Sequence, residues 1–511
     1  MSWTDGYVSE IQYTFGYYAA LNPCHSVLPL LHSGLVPPAG MTSCELGFGQ
    51  GLSVNIHAAA QHATQYWGTD FNPSQVGFAQ SLTQACGSGA QLFDQTFGDF
   101  CKREDLPSFD FIGLHGIWSW ISDENRAAIV DFVGRKLKVG GVLYISYNTQ
   151  PGWAMMAPIR HLMTEHASLM GGCGQGITNR IEAALGFTDR LIATAPLYMK
   201  VNPQVEEKFK KIKEHNRNYL AHEYFNRDWL PMPFGDMVKW LEPAKLSYAC
   251  SAHYLDHLDA INLTPEQQEF LKDIPDPNFR ETVRDYMVCQ QFRRDYWVKG
   301  PRRMGALEQV EAFRKQRIIL MSNRPDVSLK AAGALGEASM KEEVYGPILD
   351  ALADNKPKTI GQVEMLLADK AITFAALSQA VMVLIGTGAL QPAQDEKSIT
   401  KAKTSADKLN AYLMHSSRSS TDISYLASPV TGGGVTVNRF KQLFLLAKAN
   451  GKKTPQDWAA YVWQILSTQN QRLIKDGATL ESPEDNLSEL TAQAKEFAEK
   501  ELPILHALGI A

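Results

Sequence analysis

Two runs of residues carry groups that could do chemistry together. The first, Glu45-Leu46-Gly47-Phe48-Gly49-Gln50-Gly51, follows a short apolar strand and opens a helix. Its glycines permit a tight turn and let backbone approach a ligand where a Cβ would not fit. Tyr66-Trp67-Gly68-Thr69-Asp70-Phe71 then puts an acid at the end of the next strand, at the spacing where a carboxylate chelates ribose hydroxyls. A glycine-rich turn alone does not separate a dinucleotide from a nucleoside without phosphates. Glu45 does: beside the turn it would repel a pyrophosphate, whereas it can meet the cationic amino group of a methionine moiety. The set reads as a cradle for S-adenosylmethionine (SAM), with S-adenosylhomocysteine as the product. Phe71 is expected on the adenine face, and Gly98-Asp99-Phe100, after the third strand, would supply an acceptor for the adenine amino group. Taken singly, each acid could equally be a strand-end residue capping a helix; the argument lies in the combination.

The second run is Tyr147-Asn148-Thr149-Gln150-Pro151-Gly152-Trp153, read with Leu114-His115-Gly116-Ile117-Trp118-Ser119-Trp120. Ligands of open parallel sheets sit at the carboxyl ends of the strands, so both runs are expected to face the donor's sulfonium. Methyl transfer is an in-line displacement on an activated carbon, and needs alignment of a nucleophile more than acid–base machinery. Aromatic faces suit a sulfonium and an alkylammonium alike. The Tyr147 hydroxyl and Asn148 carbonyl could orient an amine lone pair, between walls of Trp118 and Trp153. Core packing is the competing reading for any one tryptophan. His115, beside Gly116, has three readings: a backbone-satisfied strand-end histidine, a group near the cofactor carboxylate, or a base for a hydroxyl acceptor.

These runs need a scaffold. Strand patterns at 42–46, 65–69, 90–94, 109–114 and 141–147 alternate with helical patterns at 51–62, 73–86 and 123–137. That alternation predicts an α/β fold, a Rossmann-like parallel sheet with right-handed crossovers. Residues 1–36 read as a helical lead-in. Residues 154–345 read as mainly helical, with charged helices over 205–219 and 280–298, and 341–392 as a small winged-helix-like unit. The Lys- and Ser-rich stretch 396–420 and Gly432-Gly433-Gly434 read as loop or linker, and 437–449, 454–473 and 484–508 as closing helices.

Composition sets the bounds. A chain of 511 residues predicts two to four domains. A hydrophobic content of 45% with 20% charged residues is that of an ordinary globular protein. A net charge of −5 offers phosphates no general attraction, which argues against a nucleic-acid partner. Seven scattered cysteines without a CxxC pair offer neither a zinc site nor a disulfide frame, and fit a cytoplasmic protein. The start, Met1 to Tyr7, lacks the pattern of a signal peptide, and no apolar run is long enough for membrane insertion. Lys208, Lys210, Lys211, Lys213 and Arg217 could dock an acidic segment, although a solvated helix face is the commoner meaning of such a stripe.

On the runs 45–51, 68–70, 115–120 and 147–153, together with Ala221-His222-Glu223-Tyr224-Phe225, Trp229 to Phe234 and Gln290 to Arg294, the chain resembles a bacterial family. These are the class I SAM-dependent methyltransferases with a methyltransferase regulatory domain, among them the rickettsial outer-membrane-protein lysine methyltransferases. The resemblance covers about residues 10–300, with Trp118 where the family usually has Tyr. It implies SAM contacts at Glu45, Gly47, Gly49, Asp70 and Asp99, and places Tyr147, Asn148 and Trp153 near the acceptor. The expected division is a methyltransferase domain over 1–175, a helical regulatory domain over 176–305 and a C-terminal helical, winged-helix-like substrate-docking domain over 306–511. The implied function is protein-lysine N-methylation of a bacterial, outer-membrane protein substrate. The alternatives are a small-molecule N- or O-methyltransferase, with the helical domains as lid and homodimer interface, and a non-catalytic SAM-responsive docking protein.

Overall fold

The computed structural model describes residues 7, 8, 11, 13–40, 42–172 and 174–511. Met1–Gly6, most of the stretch read for a signal peptide, and Cys173 lie outside the described residues, as do parts of the expected lead-in. Of that lead-in, helix α1 (Pro23–His32) is formed, started by the Asn22 side chain on the Cys24 N–H.

Five parallel strands follow: β1 (Thr42–Leu46), β2 (Gln65–Asp70), β3 (Gln91–Asp94), β4 (Phe109–Leu114) and β5 (Leu137–Asn148). Helices α2 (Leu52–Ala60), α3 (Pro73–Cys86), α4 (Phe97–Phe100) and α5 (Asp123–Lys136) connect them. Local chemistry sets the ends. In α3 the Asn72 side chain caps the Ser74 N–H, proline takes the first turn, and Gly87 closes the helix at φ +66°. β4 is buried at all six positions, as a central strand covered on both faces must be.

The sheet runs β3-β2-β1-β4-β5-β7-β6, so its order reverses between β1 and β4, and a crevice opens there at the strand ends. The last two strands, β6 (Leu246–Ser251) and β7 (Phe292–Lys299), come from beyond residue 175, and β7 runs antiparallel to β5. The sheet thus crosses the division expected at 175. The helical expectation over 280–298 is corrected as well: a helix spans only Pro277–Met287, Cys289 turns the chain at φ +50°, and the rest is β7. Phe292-Arg293-Arg294-Asp295-Tyr296-Trp297 alternates its faces with period two, and pairing with β5 satisfies its backbone. The 147–153 and 290–294 runs lie side by side: the Thr149 N–H donates to the Gln291 carbonyl, and the Gly152 N–H to that of Gln290. A Cβ on Gly152 would come within 2.4 Å of Gln291 Cα.

Beyond the sheet, strands 317–320, 358–359 and 390–393 form a small antiparallel sheet with helices Glu342–Ala351, Ile360–Leu366 and Phe374–Gly386. Its core reaches Leu28 and Leu31 of α1. The linker expected over 396–420 is instead a helix, Glu396–Ser416. Asp395 caps it, and Ala402, Ala406, Leu409 and Leu413 form a buried face against α2 and α3. Spacing of those four apolar residues, not the Lys and Ser count, decides the conformation. No helix among the described residues is long and apolar enough to cross a membrane.

Candidate active site

The β1–α2 turn is held in a shape that only glycine adopts readily. Gly47, Gly49 and Gly51 have φ of +71°, +56° and +67°. A Cβ on Gly51 would approach Ala79 Cβ to 2.4 Å, so this glycine lets α2 and α3 pack. A Cβ on Gly49 would meet nothing nearer than 4.0 Å, which leaves its backbone bare to the cavity. Asp70, at the end of β2, ties the turn down: one carboxylate oxygen accepts from the Gly49 N–H (2.8 Å) and the other from the Asn72 N–H (2.9 Å).

Around this turn lies a cavity of about 390 Å³. Its lining includes Glu45, Gly47, Phe48, Gly49, Gly51, Asp70, Phe71, His115 and Gly116, nine of the residues expected to hold a nucleoside donor. Two others are elsewhere. Asp99 is exposed, with its carboxylate on the Thr96 hydroxyl, and Phe100 is buried in the core; Thr96, Phe97 and Gly98 line the cavity in their place.

Burial pushes the Glu45 carboxyl up to about 8, with Asp70 adding to the effect. Burial also lifts Asp70, to about 6, against the pull of the backbone N–H groups it accepts. His115 is driven the other way, to about 3, by burial and by the nearby Arg294 charge. Its Nδ1 lies 2.7 Å from the Tyr144 hydroxyl and its ring stacks on Tyr18 at 3.8 Å. A histidine held neutral this strongly is a poor proton acceptor at pH 7. Ser146, on the same face of β5 as Tyr144, accepts from the Gly116 N–H at 2.8 Å.

The four residues expected at the reaction end do not line this cavity. Tyr147 points to the opposite face of β5, because neighbouring strand residues alternate. There its hydroxyl donates to Asp295 (2.8 Å), whose carboxylate also accepts from Arg293. Trp118 is buried under α5, edge-on to Trp240, and Trp153 is buried among Tyr224 and Trp229. Asn148 is buried as well, its backbone bonded to Ser119 and Met232. For the tryptophans core packing describes what is seen.

Residues to which the sequence reading gave no individual role close the far end: Tyr7, Tyr13 and Tyr18 from the N-terminal segment, Trp120, and His222 and Glu223 from helix Arg217–Tyr224. The Tyr13 hydroxyl donates to Glu223 at 3.0 Å, and the Tyr13 ring meets His222 edge-on. The sequence did carry a trace of them, in the aromatic richness before residue 36 and in the run 221–225. Among the described residues the cavity is lined by four acids, Glu45, Asp70, Glu223 and Asp228, and by no lysine or arginine. Among the described residues Asp228 alone of these has a cationic partner, Arg227 at 2.8 Å. Buried unpaired carboxylates call for cationic ligands.

A nucleoside bearing a sulfonium and an ammonium fits these residues: bare glycine backbone for close approach, Asp70 for hydroxyls, Glu45 for a cation, and Phe71 for a ring face. Residues 216–299 match the family described as "Predicted methyltransferase regulatory domain". The chain is 40% identical to the uncharacterized protein sll1526 of Synechocystis sp. over the whole of both chains. It is 26% identical to the uncharacterized protein RP789 of Rickettsia prowazekii over 290 residues, 56% of this chain and 51% of that one. In fold it resembles PKMT2 from Rickettsia typhi in complex with AdoHcy, with a TM-score of 0.72, 18% identity and coverage of 97% of this chain and 100% of that one.

Proposed function

This chain belongs to the bacterial class I SAM-dependent methyltransferases that carry a methyltransferase regulatory domain, and from that premise we propose that it methylates lysine side chains of a protein. The observation that carries the acceptor class is the lining of the cavity: acids and tyrosine rings, with no lysine or arginine among the described residues. An alkylammonium is drawn into such a space by charge and by aromatic faces. A phosphate or carboxylate acceptor is repelled. His115, held neutral and weakly basic, is not suited to serve a hydroxyl acceptor as its base.

When bound, SAM supplies an electrophilic methyl group carried on a sulfonium. Glu45 would meet its ammonium, Asp70 the ribose hydroxyls, and Phe71 the adenine face. The glycine turn fixes these groups before binding, so little ordering cost is left to the ligand. Ser146 and Tyr144 hold the β4 exit, through the Gly116 N–H and His115. Desolvation beside the rings at the far end would favour the free amine, while the acids lining the cavity favour the ammonium. A protein acceptor fits the size of the chain, because a SAM domain needs only about 150–200 residues and the remainder can shape a cleft. An outer-membrane protein as substrate is what the resemblance to the rickettsial enzymes implies, and the scattered cysteines support a cytoplasmic site of action.

The test is transfer from radiolabelled SAM into fractionated bacterial protein, with mass spectrometry of the labelled bands. Label on lysine ε-amines is expected. Label confined to the small-molecule fraction would make the enzyme a small-molecule methyltransferase.

A further inference from the structure

Glu223 stands out because nothing in the donor requires it. It sits in the segment that matches the regulatory-domain family, yet it lines the cavity together with the glycine turn. Its helix is anchored from below: Leu220, Ala221 and Tyr224 are buried in a separate core with Trp153, and this turns Glu223 toward the cavity. Next to it, the His222 ring lies 3.1 Å, through Nε2, from the Ile11 carbonyl, tying the helix to the N-terminal segment. One Glu223 oxygen accepts from the Tyr13 hydroxyl, and no cation among the described residues pairs with the carboxylate. Tyr7, Tyr13, Tyr18, Tyr219, Tyr224 and His222 are the titratable groups closest to it.

We infer that Glu223 pairs with the acceptor's alkylammonium and takes its proton, with Tyr13 positioning the carboxylate; this rests on the lysine reading above. In the step, one N–H bond of the ammonium breaks and an O–H bond forms on the carboxylate. The lone pair stays on a neutral amine, and the proton leaves to water when the product departs. Burial raises the Glu223 carboxyl above its ordinary range, which makes it a better acceptor than an exposed glutamate, and the Tyr13 hydrogen bond opposes part of that rise. The segment named for regulation thereby supplies chemistry.

The experiment uses the full chain with saturating S-adenosylhomocysteine, which covers Glu45 and Asp70, and titrates n-butylammonium chloride against n-butanol by calorimetry across pH. The wild type is expected to prefer the cation by tenfold or more, with binding strengthening as pH rises and Glu223 ionises. Glu223→Gln should lose that preference and its pH dependence while keeping the affinity for S-adenosylhomocysteine within twofold. Glu223→Asp should restore part of the preference. Tyr13→Phe removes a bond that favours the carboxylate, so the onset of binding should move to higher pH. Undiminished cation preference in a folded Glu223→Gln protein would overturn the inference. If Glu223→Gln does not fold, an unmoved onset in Tyr13→Phe would overturn it instead. Label confined to small molecules in the radiolabel test, with the Glu223 effects intact, would remove the protein-lysine reading and leave an alkylammonium site.

Discussion

At the cradle end of the cavity the fixing contact spans 21 residues, from Gly49 to Asp70, and joins a backbone N–H to a carboxylate. At the tyrosine-lined end, the proposed acceptor end, the corresponding contact, Tyr13 to Glu223, spans 210 residues and joins two side chains. The first end is built by one turn and one strand end, and left-handed glycines hold it. The second is assembled from an N-terminal segment and a helix that reach it separately. A donor shared across a fold can be served by local backbone geometry, whereas an acceptor can be changed by replacing side chains on elements the cradle does not depend on.

If that contrast is right, the largest effect should come from the residue that locks the cradle. Asp70→Ala removes the acceptor of two backbone N–H groups as well as the proposed ribose contact. Charge-assisted hydrogen bonds contribute about 1.5–3 kcal/mol each, so donor affinity should fall on the order of 100-fold. Calorimetry with SAM checks this, and a loss below about threefold would mean that the turn holds without its carboxylate.

Next comes the pH dependence of stability. In the ligand-free protein Glu45 and Asp70 hold protons up to about pH 8 and about pH 6. The unfolded chain releases them near the ordinary carboxyl range. The folded state therefore binds more protons between these limits, and stability falls as pH rises from about 4 to about 8. The Glu45 part is on the order of a few kcal/mol and should vanish in Glu45→Gln. SAM should oppose the fall, because a cation favours the carboxylate. Thermal melts at several pH values, with and without SAM, decide it; an identical slope in Glu45→Gln would remove Glu45 as the source.

Gly51→Ala tests whether the turn is a packing constraint as well as a ligand surface. Positive φ and the approach to Ala79 together should cost about 1–3 kcal/mol of stability. Gly77→Ala, at an exposed position of α3 with open space around it, should instead stabilise by up to about 1 kcal/mol. Denaturant midpoints that move in the same direction for both would contradict the constraint.

The same contrast explains what could be read from the chain. The strands of the parallel sheet and the cradle were legible because their signals are contiguous: β1 and β4 fall at the expected residues, and nine of eleven expected cofactor residues line one cavity. β7 was hidden because its charged residues, Arg293 and Asp295, satisfy one another in the interior instead of facing solvent. The helix over 396–416 was hidden because Lys and Ser on its outer face dominate the composition. The tyrosine-lined end was legible only as a trace, for a different reason: no local pattern joins Tyr13 to Glu223, and only tertiary packing does.

The smallest expected effect is the one that separates the two faces of β5. Tyr147 was expected beside the acceptor, yet its hydroxyl lies among Asp295 and Arg293, and Arg293 also holds Asp285 and Glu281. Tyr147→Phe removes one hydrogen bond to a carboxylate that keeps its bond from Arg293. Stability should fall by about 1–2 kcal/mol, with methyl transfer by the folded protein unchanged. Ser146, one position earlier, points to the other face of β5 and holds the N–H of Gly116, which lines the cavity. Ser146→Ala should therefore weaken SAM binding by a few-fold while costing no more stability than Tyr147→Phe. The two variants differ by one residue of strand and by the face it presents. If Tyr147→Phe instead abolished transfer with stability intact, the acceptor would have to enter through the face of β5 now filled by the Arg293 network, and the tyrosine-lined end would lose its role.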